Sequence, residues 1–593
     1  MKFFGITKEQ IIEDKLLSKY VDLNKLFVSE KPAHFNAGDQ QFYLFGNVYK
    51  VPEKGPVGSQ HEALQMLAEY LNEKQLKALN KVDGEFTLII NKGEEITIYR
   101  DFKGTGPQIF YNSEIFSNDL KLLLDIRKDA PEPDYQALSF FLMLGFTPPD
   151  LTGLKDIKRL PGGHVLQYSS QGMLVKKLED TISANNLNGH GSVDDYSKTF
   201  FNIHTDAIRN RINGKNNIGL LLSGGYDSGG NLAGIRNFYD GPLKSYTVSF
   251  KNNPHSELEF VKLMAKTFKA DLVNYEIDGS EICFLPEIVK HTGIPFQESG
   301  LMINYLVMKT AGKDNLDIVL GGDGNDQLFG TANKELAMKL FSLNSGISML
   351  QKVLSSMIGK NENSTFTQKL NLYNDKIQNV VFPDHWGFNA NQLTNTIDIR
   401  KIINLDKVYT TSYEKIYENR RKNIDIVITA FNVILFKAAR MAELFNVPLS
   451  FPYLSREVYE FVNTLPMEMK IHGTFRELLK GKGVSKYIHK YTYKPLIPQQ
   501  VTGRKKQGGF VPLAMFFTND ERNKDFFHLI EKSELLNSLL KDHKQEIEVL
   551  RKTVNNPETW FWYQQVYYSR MFNMMVLAIW EKLYLHNETV EII

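Results

Sequence analysis

The segment SGGYDS, residues 223–228, combines two hydroxyl groups, two glycines and one carboxylate directly after the apolar run IGLLL. The apolar run predicts a buried strand, and the segment NLAGIR, which starts at Asn231, predicts a helix behind the loop. Glycine has no Cβ atom, so Gly224 and Gly225 let backbone N–H groups approach an anion, to which the serine hydroxyls add donors. A phosphate at the N-terminus of the helix is the ligand that this arrangement predicts.

Asp227 is the member of this loop that a phosphate alone would repel. A carboxylate next to a phosphate is favourable when a divalent cation lies between them, so Asp227 predicts a magnesium ion. The alternative is an ordinary Gly-Gly turn, since glycine-rich turns follow many strands. The loop is not a Walker loop, because no GK[ST] follows it, and it lacks the GxGxxG spacing of dinucleotide sites.

A second cluster of glycines and acids lies in DIVLGGDGNDQLFG, residues 317–330. It follows another predicted strand, and open parallel sheets bind ligands at the carboxyl ends of their strands. We therefore predict that Asp227 and Asp326 share the metal, while Asp323 faces the reacting centre. The alternative is a calcium-binding or simple acidic turn, because Asp, Gly and Asn are the usual turn residues.

The elements that must position these loops divide the chain into regions of different pattern. The stretch 180–199 is polar and rich in Asn, Gly and Ser, which predicts a domain boundary. Beyond it strands and helices alternate, which predicts a parallel sheet, and helical patterns dominate from about residue 330. The region before it is rich in predicted strands, namely QFYLFGNVYKV, EFTLIINKGEEITIYRDF and HVLQYSSQGMLVKK.

Composition restricts the class of protein further. The chain has 593 residues, of which 42% are hydrophobic, and a net charge of +2, which predicts a soluble globular protein with no nucleic-acid or membrane partner. Cys283 is the single cysteine, so an internal disulfide and a Cys-rich zinc site are excluded. Early acids such as Glu9 and Glu13 interrupt the N-terminal apolar residues, which predicts a cytoplasmic protein without a secretory signal. The aromatic run at 560–572 predicts a core helix rather than a base-stacking platform, because only Arg570 is basic.

The two loops resemble motifs of known families. SGGYDS resembles the pyrophosphate-binding SGGxDS loop of the N-type ATP pyrophosphatases, and GGDGNDQLFG resembles the GEGSDELFGG segment of asparagine synthetases. Residues 503–513, GRKKQGGFVPL, are similar to the RxKQGFGVPL segment of the same family. Residues 440–466 are similar to its segment that contains a PFLD-type motif and a helix.

The N-terminal region also resembles this family. The segments DGEFTLII, YRDFKGTGPQIFY, FSNDLKLLL and LPGGHVLQY follow, in this order, the pattern of an amidotransferase-type N-terminal nucleophile domain. The resemblance implies an α/β protein in two parts. An N-terminal nucleophile-type αββα domain would occupy residues 1–185, and a parallel-sheet ATP pyrophosphatase domain with a largely helical C-terminal part would occupy residues 195–593.

One departure from the family concerns its nucleophile. Glutamine-dependent members carry a cysteine immediately after the initiator methionine, where this chain has Lys2. The resemblance therefore implies a first domain without glutaminase activity, because Cys283 lies in the second domain. β-Lactam synthetases and lasso-peptide cyclases share this loss, and they adenylate a carboxylate that an amine of the same substrate then attacks. Thiolating relatives are disfavoured, because their chemistry needs cysteines that this chain lacks.

The resemblance implies ATP and Mg²⁺ as cofactors and assigns residues to them. Magnesium would be held by Asp227 and Asp326. The β- and γ-phosphates would be bound by Ser223, Gly224, Gly225 and Ser228. The remaining nucleotide contacts would come from Leu222, Val248, Gly321 and Gly322.

Catalytic roles are carried over in the same way. Lys506, within the GRKKQGGFVPL segment, would neutralise the charge that develops at the α-phosphate; the alternative is a solvated charge of the run RKK. Amide formation also needs a base. Asp323 takes the position where asparagine synthetases carry Glu and β-lactam synthetases Tyr, and since it is shorter than Glu, a binding role stays open. Glu443 is a second candidate for the base, with a surface or structural role as the alternative.

These assignments predict an ATP-dependent ligase that joins a small-molecule or peptide carboxylate to an amine, with the amine belonging to the same substrate, as in lactam or macrocycle formation. An ammonia-dependent amidating ligase and a noncatalytic nucleotide-binding relative are the alternatives. A partner protein that delivers the substrate and a homodimer are both compatible with this prediction.

Overall fold

The structure is a computed structural model of the full chain. It describes residues 1–7, 14–127, 129–180, 191–251, 257–342, 387–395, 413–503, 511–554 and 561–592. Within these residues the predicted α/β fold is confirmed, because two antiparallel sheets occupy the N-terminal region and a parallel sheet follows them.

The N-terminal region forms two antiparallel sheets with the strand orders β11-β9-β10-β1-β3-β2 and β13-β12-β8-β7-β5-β4, and β6 pairs with β5. The predicted strand segments of this region form β5, β7, β8, β12 and β13. The strands are β1 Phe3–Ile6, β2 Val21–Asp22, β3 Leu26–Val28, β4 Ala33–Ala37, β5 Gln40–Val51, β6 Gly55–Pro56, β7 Asp83–Lys92, β8 Glu95–Arg100, β9 Phe110–Tyr111, β10 Ile115–Ser117, β11 Lys158–Arg159, β12 His164–Ser169 and β13 Gly172–Lys177.

Alternation along the strands explains how these two sheets pack. Successive side chains of a strand point to opposite faces, so Ile89 of β7 packs into the apolar layer between the sheets, whereas Leu88 belongs to the layer on the other face. That other face is covered by α2, whose Leu64 and Leu67 belong to the same layer as Leu88. The helices of this region are α1 Asp14–Leu17, α2 Gln60–Lys74, α3 Leu120–Arg127 and α4 Tyr135–Leu144.

The second region is built on a parallel sheet with the strand order β16-β15-β14-β17-β18. The strands β14 and β17, which precede the two glycine-acid loops, are direct neighbours in this sheet. Both loops therefore extend from the carboxyl ends of neighbouring parallel strands. The strands are β14 Ile218–Leu221, β15 Leu243–Phe250, β16 Asp271–Ile277, β17 Ile318–Leu320 and β18 Leu449–Ser450, and a separate ribbon pairs β19 Ile471–His472 with β20 Val484–Ser485.

Helices cover this sheet and form most of the described residues after residue 330, as predicted. Residues 561–572 of the aromatic run belong to the long helix α22, in which Tyr568 and Phe572 of the run are buried, so the interpretation as a core helix is confirmed for these two residues. The helices are α5 Val193–Ile212, α6 Tyr226–Arg236, α7 Leu258–Thr267, α8 Leu285–Thr292, α9 Leu301–Ala311, α10 Asn325–Phe329, α11 Ala332–Ser342, α12 Tyr413–Arg420, the π-helix Arg421–Ile434, α13 Leu435–Leu444, α14 Arg456–Thr464, α15 Met467–Lys470, α16 Phe475–Leu479, α17 Tyr487–Tyr493, α18 Gln499–Thr502, α19 Asp520–Glu531, α20 Glu534–Leu539, α21 His543–Val554 and α22 Phe561–Tyr584.

Among the described residues, no helix combines the length and the apolar character that crossing a membrane requires. The predicted boundary between residues 185 and 195 falls largely on residues 181–190, which lie outside the described residues. The division into domains 1–185 and 195–593 therefore stays a prediction.

A buried network of charges joins the two regions. Arg211 of α5 donates to the Asp83 carboxylate at 2.8 and 3.0 Å and to Ser450 Oγ at 2.7 Å. Ser450 donates in turn to Glu85 at 2.8 Å, and Glu85 pairs with Lys103 at 3.1 Å. All five side chains are buried. Since Ser450 lies on β18, which pairs with β17, the N-terminal sheet contacts the strand next to the one that precedes the second loop.

Candidate functional site

The first loop connects β14 to α6 with a very short turn. Leu222 continues the strand by donating its N–H to Tyr246 O at 2.9 Å, and Gly225 is the N-cap of α6. The helix begins at Tyr226, five residues before the predicted start at Asn231. The prediction was wrong because glycine disfavours helix interiors, whereas here Gly230 is required by packing: a Cβ atom on it would lie 2.2 Å from Tyr453 Oη.

The early helix start changes the position of the loop's polar residues. Asp227 and Ser228 lie in the first turn of α6, where the helix dipole favours a negative charge. The Ser228 hydroxyl donates to Ser223 O at 2.8 Å and accepts from Ser223 N at 3.0 Å. Ser228 is buried and Ser223 is exposed, so Ser228 holds the turn in shape while Ser223 presents its hydroxyl to solvent.

The second loop contacts the first, as the sequence predicts. A Cβ atom on Gly322 would lie 3.2 Å from Ser228 N, so a residue without a side chain lets the two backbones approach. The Asn325 amide donates to Asp227 Oδ1 at 2.7 Å, and the Asn231 amide donates to Gly321 O at 3.0 Å. Two hydrogen bonds therefore connect the glycine-acid clusters in addition to the pairing of their strands.

Lys486 lies between the two predicted metal ligands. Its Nζ is 2.6 Å from Asp227 Oδ2 and 2.8 Å from Asp326 Oδ1, and its side chain is 4% exposed. Burial alone would lower the pKa of Lys486, but the two carboxylates raise it, so the ammonium form is retained. Sequence analysis missed this residue, whose signal is its position between the two family-like segments 440–466 and 503–513.

The pair of acids fits a magnesium ion. Asp227 and Asp326 contact one and the same ammonium group, so their carboxylates converge on one cation-sized position. Carboxylate oxygens are the ligands that magnesium prefers. Because Lys486 Nζ occupies the position between the two carboxylates, a magnesium ion held by both acids would lie beside this ammonium or displace it.

Two neutral buried side chains, Tyr453 and His489, form a hydrogen-bonded chain that ends at the backbone of Asp227. The Tyr453 hydroxyl donates to Asp227 O at 2.9 Å, so Nε2 of His489, 2.9 Å from that hydroxyl, acts as the donor to Tyr453. Burial lowers the pKa of His489 to about 3 despite the nearby Asp227 carboxylate. The histidine is therefore neutral. The positive charge that contacts the two aspartates is the ammonium group of Lys486.

A second polar centre lies around Asp323. The Glu298 carboxylate accepts from Lys437 Nζ, from Gly300 N at 2.8 Å and from Ser299 Oγ at 3.1 Å. Burial raises the pKa of the half-buried Asp323; Lys437 opposes this rise, and Glu298 and Asp227 add to it.

Glu298 and Lys437 were not predicted from the sequence. Burial alone would raise the pKa of Glu298, but Lys437 and the N–H of Gly300 lower it, so Glu298 is a carboxylate at neutral pH. The sequence signal for Lys437 is a single charged residue within the apolar run FNVILFKAA. The charges of Lys437, Glu298 and Asp227 thus all act on Asp323.

The remaining predicted residues fall into three groups. Leu222 is buried under the first loop, and Val248 lies half-buried on the adjacent strand β15. Glu443 pairs with Arg440 on its own helix, and no contact found among the described residues joins it to Asp227, Asp323 or Asp326. Lys506 belongs to 504–510, which lie outside the described residues.

Comparison with known families is consistent with this geometry. A family model for asparagine synthase matches residues 204–581, which include both loops, Lys486 and the Glu298–Lys437 pair. The chain belongs to the asparagine synthase family. A second model, for a glutamine amidotransferase domain, matches residues 59–179 in the region of the antiparallel sheets.

Two curated relatives of this family carry asparagine synthetase names. The chain is 26% identical to asparagine synthetase [glutamine-hydrolyzing] 1 of Bacillus subtilis (strain 168), over 81% of this chain and 75% of that protein. It is 26% identical to putative asparagine synthetase [glutamine-hydrolyzing] 2 of Methanocaldococcus jannaschii, over 41% of this chain and 48% of that protein. The predicted closeness to β-lactam synthetases and lasso-peptide cyclases, the partner protein and the homodimer stay predictions.

Among solved structures, glutamine phosphoribosylpyrophosphate amidotransferase from B. subtilis, complexed with ADP and GMP, matches at 10% identity with a TM-score of 0.18. The match covers 49% of this chain and 64% of that one. A similarity of this size does not indicate a shared function.

Proposed function

We propose that this member of the asparagine synthase family is an ATP-dependent amide ligase that adenylates a substrate carboxylate, releases pyrophosphate and joins the acyl group to an amine. The observation that carries the proposal is the convergence of Asp227 and Asp326 on one cationic position in the first turns of α6 and α10. Asp227 belongs to the glycine-rich loop, and the charges of Asp227, Glu298 and Lys437 all act on Asp323.

In this proposal the first loop binds the phosphates. Ser223, Gly224, Gly225 and Ser228 bind the β- and γ-phosphates, while Leu222, Val248, Gly321 and Gly322 contact the nucleoside. Asp227 and Asp326 hold magnesium, which would neutralise phosphate charge when bound. Lys486 keeps the two acids close together and adds a buried positive charge beside the phosphate position.

The acyl transfer takes place next to Asp323. A carboxylate oxygen attacks the α-phosphorus, the bond to pyrophosphate breaks, and an amine then displaces AMP from the acyl carbon while losing a proton. Because its pKa is raised, Asp323 is better suited to accept that proton than an ordinary aspartate. Glu443 stays the second candidate from the sequence, although its pairing with Arg440 favours a structural role.

The source of the amine distinguishes two forms of this proposal. Lys2 stands where glutamine-dependent relatives carry their cysteine, and its Nζ pairs with Asp119 at 2.5 Å. This favours an amine of the substrate itself, as in lactam or macrocycle formation. The names of the relatives, asparagine synthetases of the glutamine-hydrolyzing type, favour amidation instead. Without the cysteine, this chain would use ammonia as the nucleophile in that form of the proposal.

A pyrophosphate-exchange screen over carboxylates and peptides, with and without ammonia, tests the proposal. We expect radiolabelled pyrophosphate to enter ATP only when a suitable carboxylate and magnesium are present, and AMP to be the nucleotide product. Product release as ADP and phosphate would contradict adenylation. A product whose mass falls by one water supports an internal amine, and a product that retains ¹⁵N from labelled ammonia supports the amidating form.

We predict that the protein does not hydrolyse glutamine, because Lys2 takes the position of the nucleophilic cysteine of glutamine-dependent relatives. Glutamate release from the purified protein should equal that of the same purification from cells that lack the protein, which controls for a contaminating glutaminase. Glutamate release that follows the protein through a second chromatographic step would contradict this prediction.

For Lys506 we predict that Lys506→Met leaves the KM for ATP nearly unchanged and lowers kcat about a hundredfold, the usual effect of losing one preorganised charge-stabilising group. Lys505→Met is the matched control, since it removes a neighbouring charge of the same RKK run. A raised KM with an unchanged kcat would show that Lys506 only binds the nucleotide.

A further inference from the structure

The ammonium group of Lys486 makes three contacts with the two acids of the proposed metal position. Its Nζ donates to Asp227 Oδ1 at 2.8 Å and to Asp227 Oδ2 at 2.6 Å, and it lies 2.8 Å from Asp326 Oδ1. An ammonium group has three donors, so these contacts satisfy all of them. Lys486 is therefore well accommodated between the acids, although its side chain is almost fully buried.

A magnesium ion bound to the same acids would come close to this ammonium. Magnesium binds oxygen at about 2.1 Å and Asp227 Oδ2 is 2.6 Å from Nζ, so an ion on Oδ2 would lie within about 4.7 Å of the nitrogen. The other oxygen, Oδ1, accepts from the Asn325 amide at 2.7 Å as well as from Lys486. Both oxygens of Asp227 are therefore already engaged by donors.

The charges of this cluster oppose a metal that enters alone. Two carboxylates and one ammonium give the three side chains a net charge of −1, which a divalent ion would change to +1. Because Lys486 is shielded from water, salt screens its repulsion of a second cation much less than it would at an exposed site. A magnesium ion is therefore accepted only when Lys486 gives up part of its contact with the acids.

A triphosphate provides the alternative partner that Lys486 needs. Asp227 lies in the first turn of α6, directly after the glycine-rich loop that binds the phosphates in the proposed function. Lys486 then exchanges a carboxylate oxygen for a phosphate oxygen, and both contacts are charge-assisted hydrogen bonds. This exchange leaves the carboxylate oxygen to the magnesium ion that the phosphates carry.

We propose that Lys486 keeps magnesium away from Asp227 and Asp326 until a nucleotide binds, so that the metal enters only together with a triphosphate. The inference rests on the proposed function, since it concerns the phosphate loop and the shared metal position that are assigned there. Lys486 is then the residue that sets the order of binding, and the free protein has a low affinity for divalent ions at these two acids.

Thermal unfolding of the full-length wild-type protein gives the first test, because a ligand that binds only the folded state raises Tm. The protein is heated with Mg²⁺ alone, with an ATP analogue that carries a methylene group between its α- and β-phosphorus, and with both. We expect Mg²⁺ alone to leave Tm unchanged, and both together to raise it more than the analogue alone. A rise with Mg²⁺ alone that equals the rise with both would overturn the inference.

Binding of Mn²⁺ to Lys486→Met, followed by the electron paramagnetic resonance signal of the free ion, gives the second test. Mn²⁺ has the charge of Mg²⁺ and shares its preference for oxygen ligands. Without nucleotide, we expect Lys486→Met to bind Mn²⁺ at least about tenfold more tightly than wild type, since placing like charges side by side costs more than a tenfold change in affinity.

Two further variants control for the loss of a buried lysine. Lys470→Met removes a lysine that is equally buried and pairs with Glu418 at 3.0 Å, so its Mn²⁺ affinity should equal that of wild type. Lys486→Asn removes the same charge as Lys486→Met and is suited to the backbone there, because Lys486 has a φ of +54° and asparagine tolerates this left-handed region better than most residues. It replaces Lys486→Met if that variant does not fold.

The outcomes separate this inference from the proposed function. Equal Mn²⁺ affinities of wild type and the folded Lys486 variant would overturn the inference, whereas pyrophosphate exchange would still establish the ligase. If Mn²⁺ binds none of the proteins even with the ATP analogue, the shared metal position fails, and the inference fails with it. Absence of exchange with every carboxylate would overturn the proposed function, whatever the Mn²⁺ affinities are.

Discussion

Replacing Asp227 or Asp326 with asparagine should lower magnesium-dependent ATP turnover by about a hundredfold or more, the range found when one preorganised electrostatic group is removed. Each substitution keeps the size of the side chain and removes one anionic oxygen ligand. Lys486 remains in place in both variants, so the local charge becomes more positive and a magnesium ion is repelled in addition to losing a ligand.

The measurement is the rate of AMP formation as a function of magnesium concentration, with thermal unfolding as the test of folding. Asp317→Asn is the matched control, because Asp317 immediately precedes β17, at the opposite end of that strand from the second loop. We expect it to turn over ATP normally. Rates near wild type in both Asp227→Asn and Asp326→Asn would exclude the shared cation.

Replacing Arg211 with methionine should lower the free energy of unfolding by about 3–5 kcal/mol, the usual effect of removing one partner from a buried ion pair. The Arg211 side chain is fully buried and its guanidinium binds both oxygens of Asp83. Without it, the Asp83 carboxylate stays buried with fewer partners, and Ser450 loses the hydrogen bond that connects β18 to α5.

Arg209→Met is the control for this prediction, since Arg209 lies on the same helix but is 51% exposed, pairs with the exposed Asp206 and lies over the ring of Phe238. Its loss should change the free energy of unfolding by less than about 1 kcal/mol. Denaturant unfolding of both variants is the measurement. The double variant Arg211→Met, Asp83→Asn should recover part of the loss, because the unpaired charge is then absent. Equal losses of unfolding free energy in Arg211→Met and Arg209→Met would show that the buried network does not hold the regions together.

The sequence by itself located the two loops and the strands before them. SGGYDS and GGDGNDQLFG are local patterns of strand, glycine and acid, and the parallel alternation of strands and helices implies that such loops meet at one edge of the sheet. That is why Asp227, Asp326 and Asp323 could be grouped without a structure. The αββα arrangement of the first region was predicted from the family resemblance, which rests on the strand segments of that region.

Other parts of the site required the tertiary structure. Lys486 lies 259 residues from Asp227, and Lys437 lies 139 residues from Glu298. The residues around a single lysine do not indicate which carboxylate it will contact, because such contacts depend on the packing of helices that are distant in sequence. The helix start at Tyr226 was missed for the same reason. Gly230 argues against a helix interior by sequence alone, whereas in the structure Tyr453 leaves room only for a glycine at this position.

The difference between the two kinds of feature has a physical reason. Strand, turn and helix preferences act between residues that are near in the chain, so a short motif predicts its own backbone and the groups that it presents. The partner of a buried charge is selected by the desolvation cost of leaving that charge unpaired, and this cost arises only once the whole fold has closed around it. The sequence therefore determined which acids the two loops present at the same end of the sheet, and the tertiary structure decided that Lys486 lies between Asp227 and Asp326.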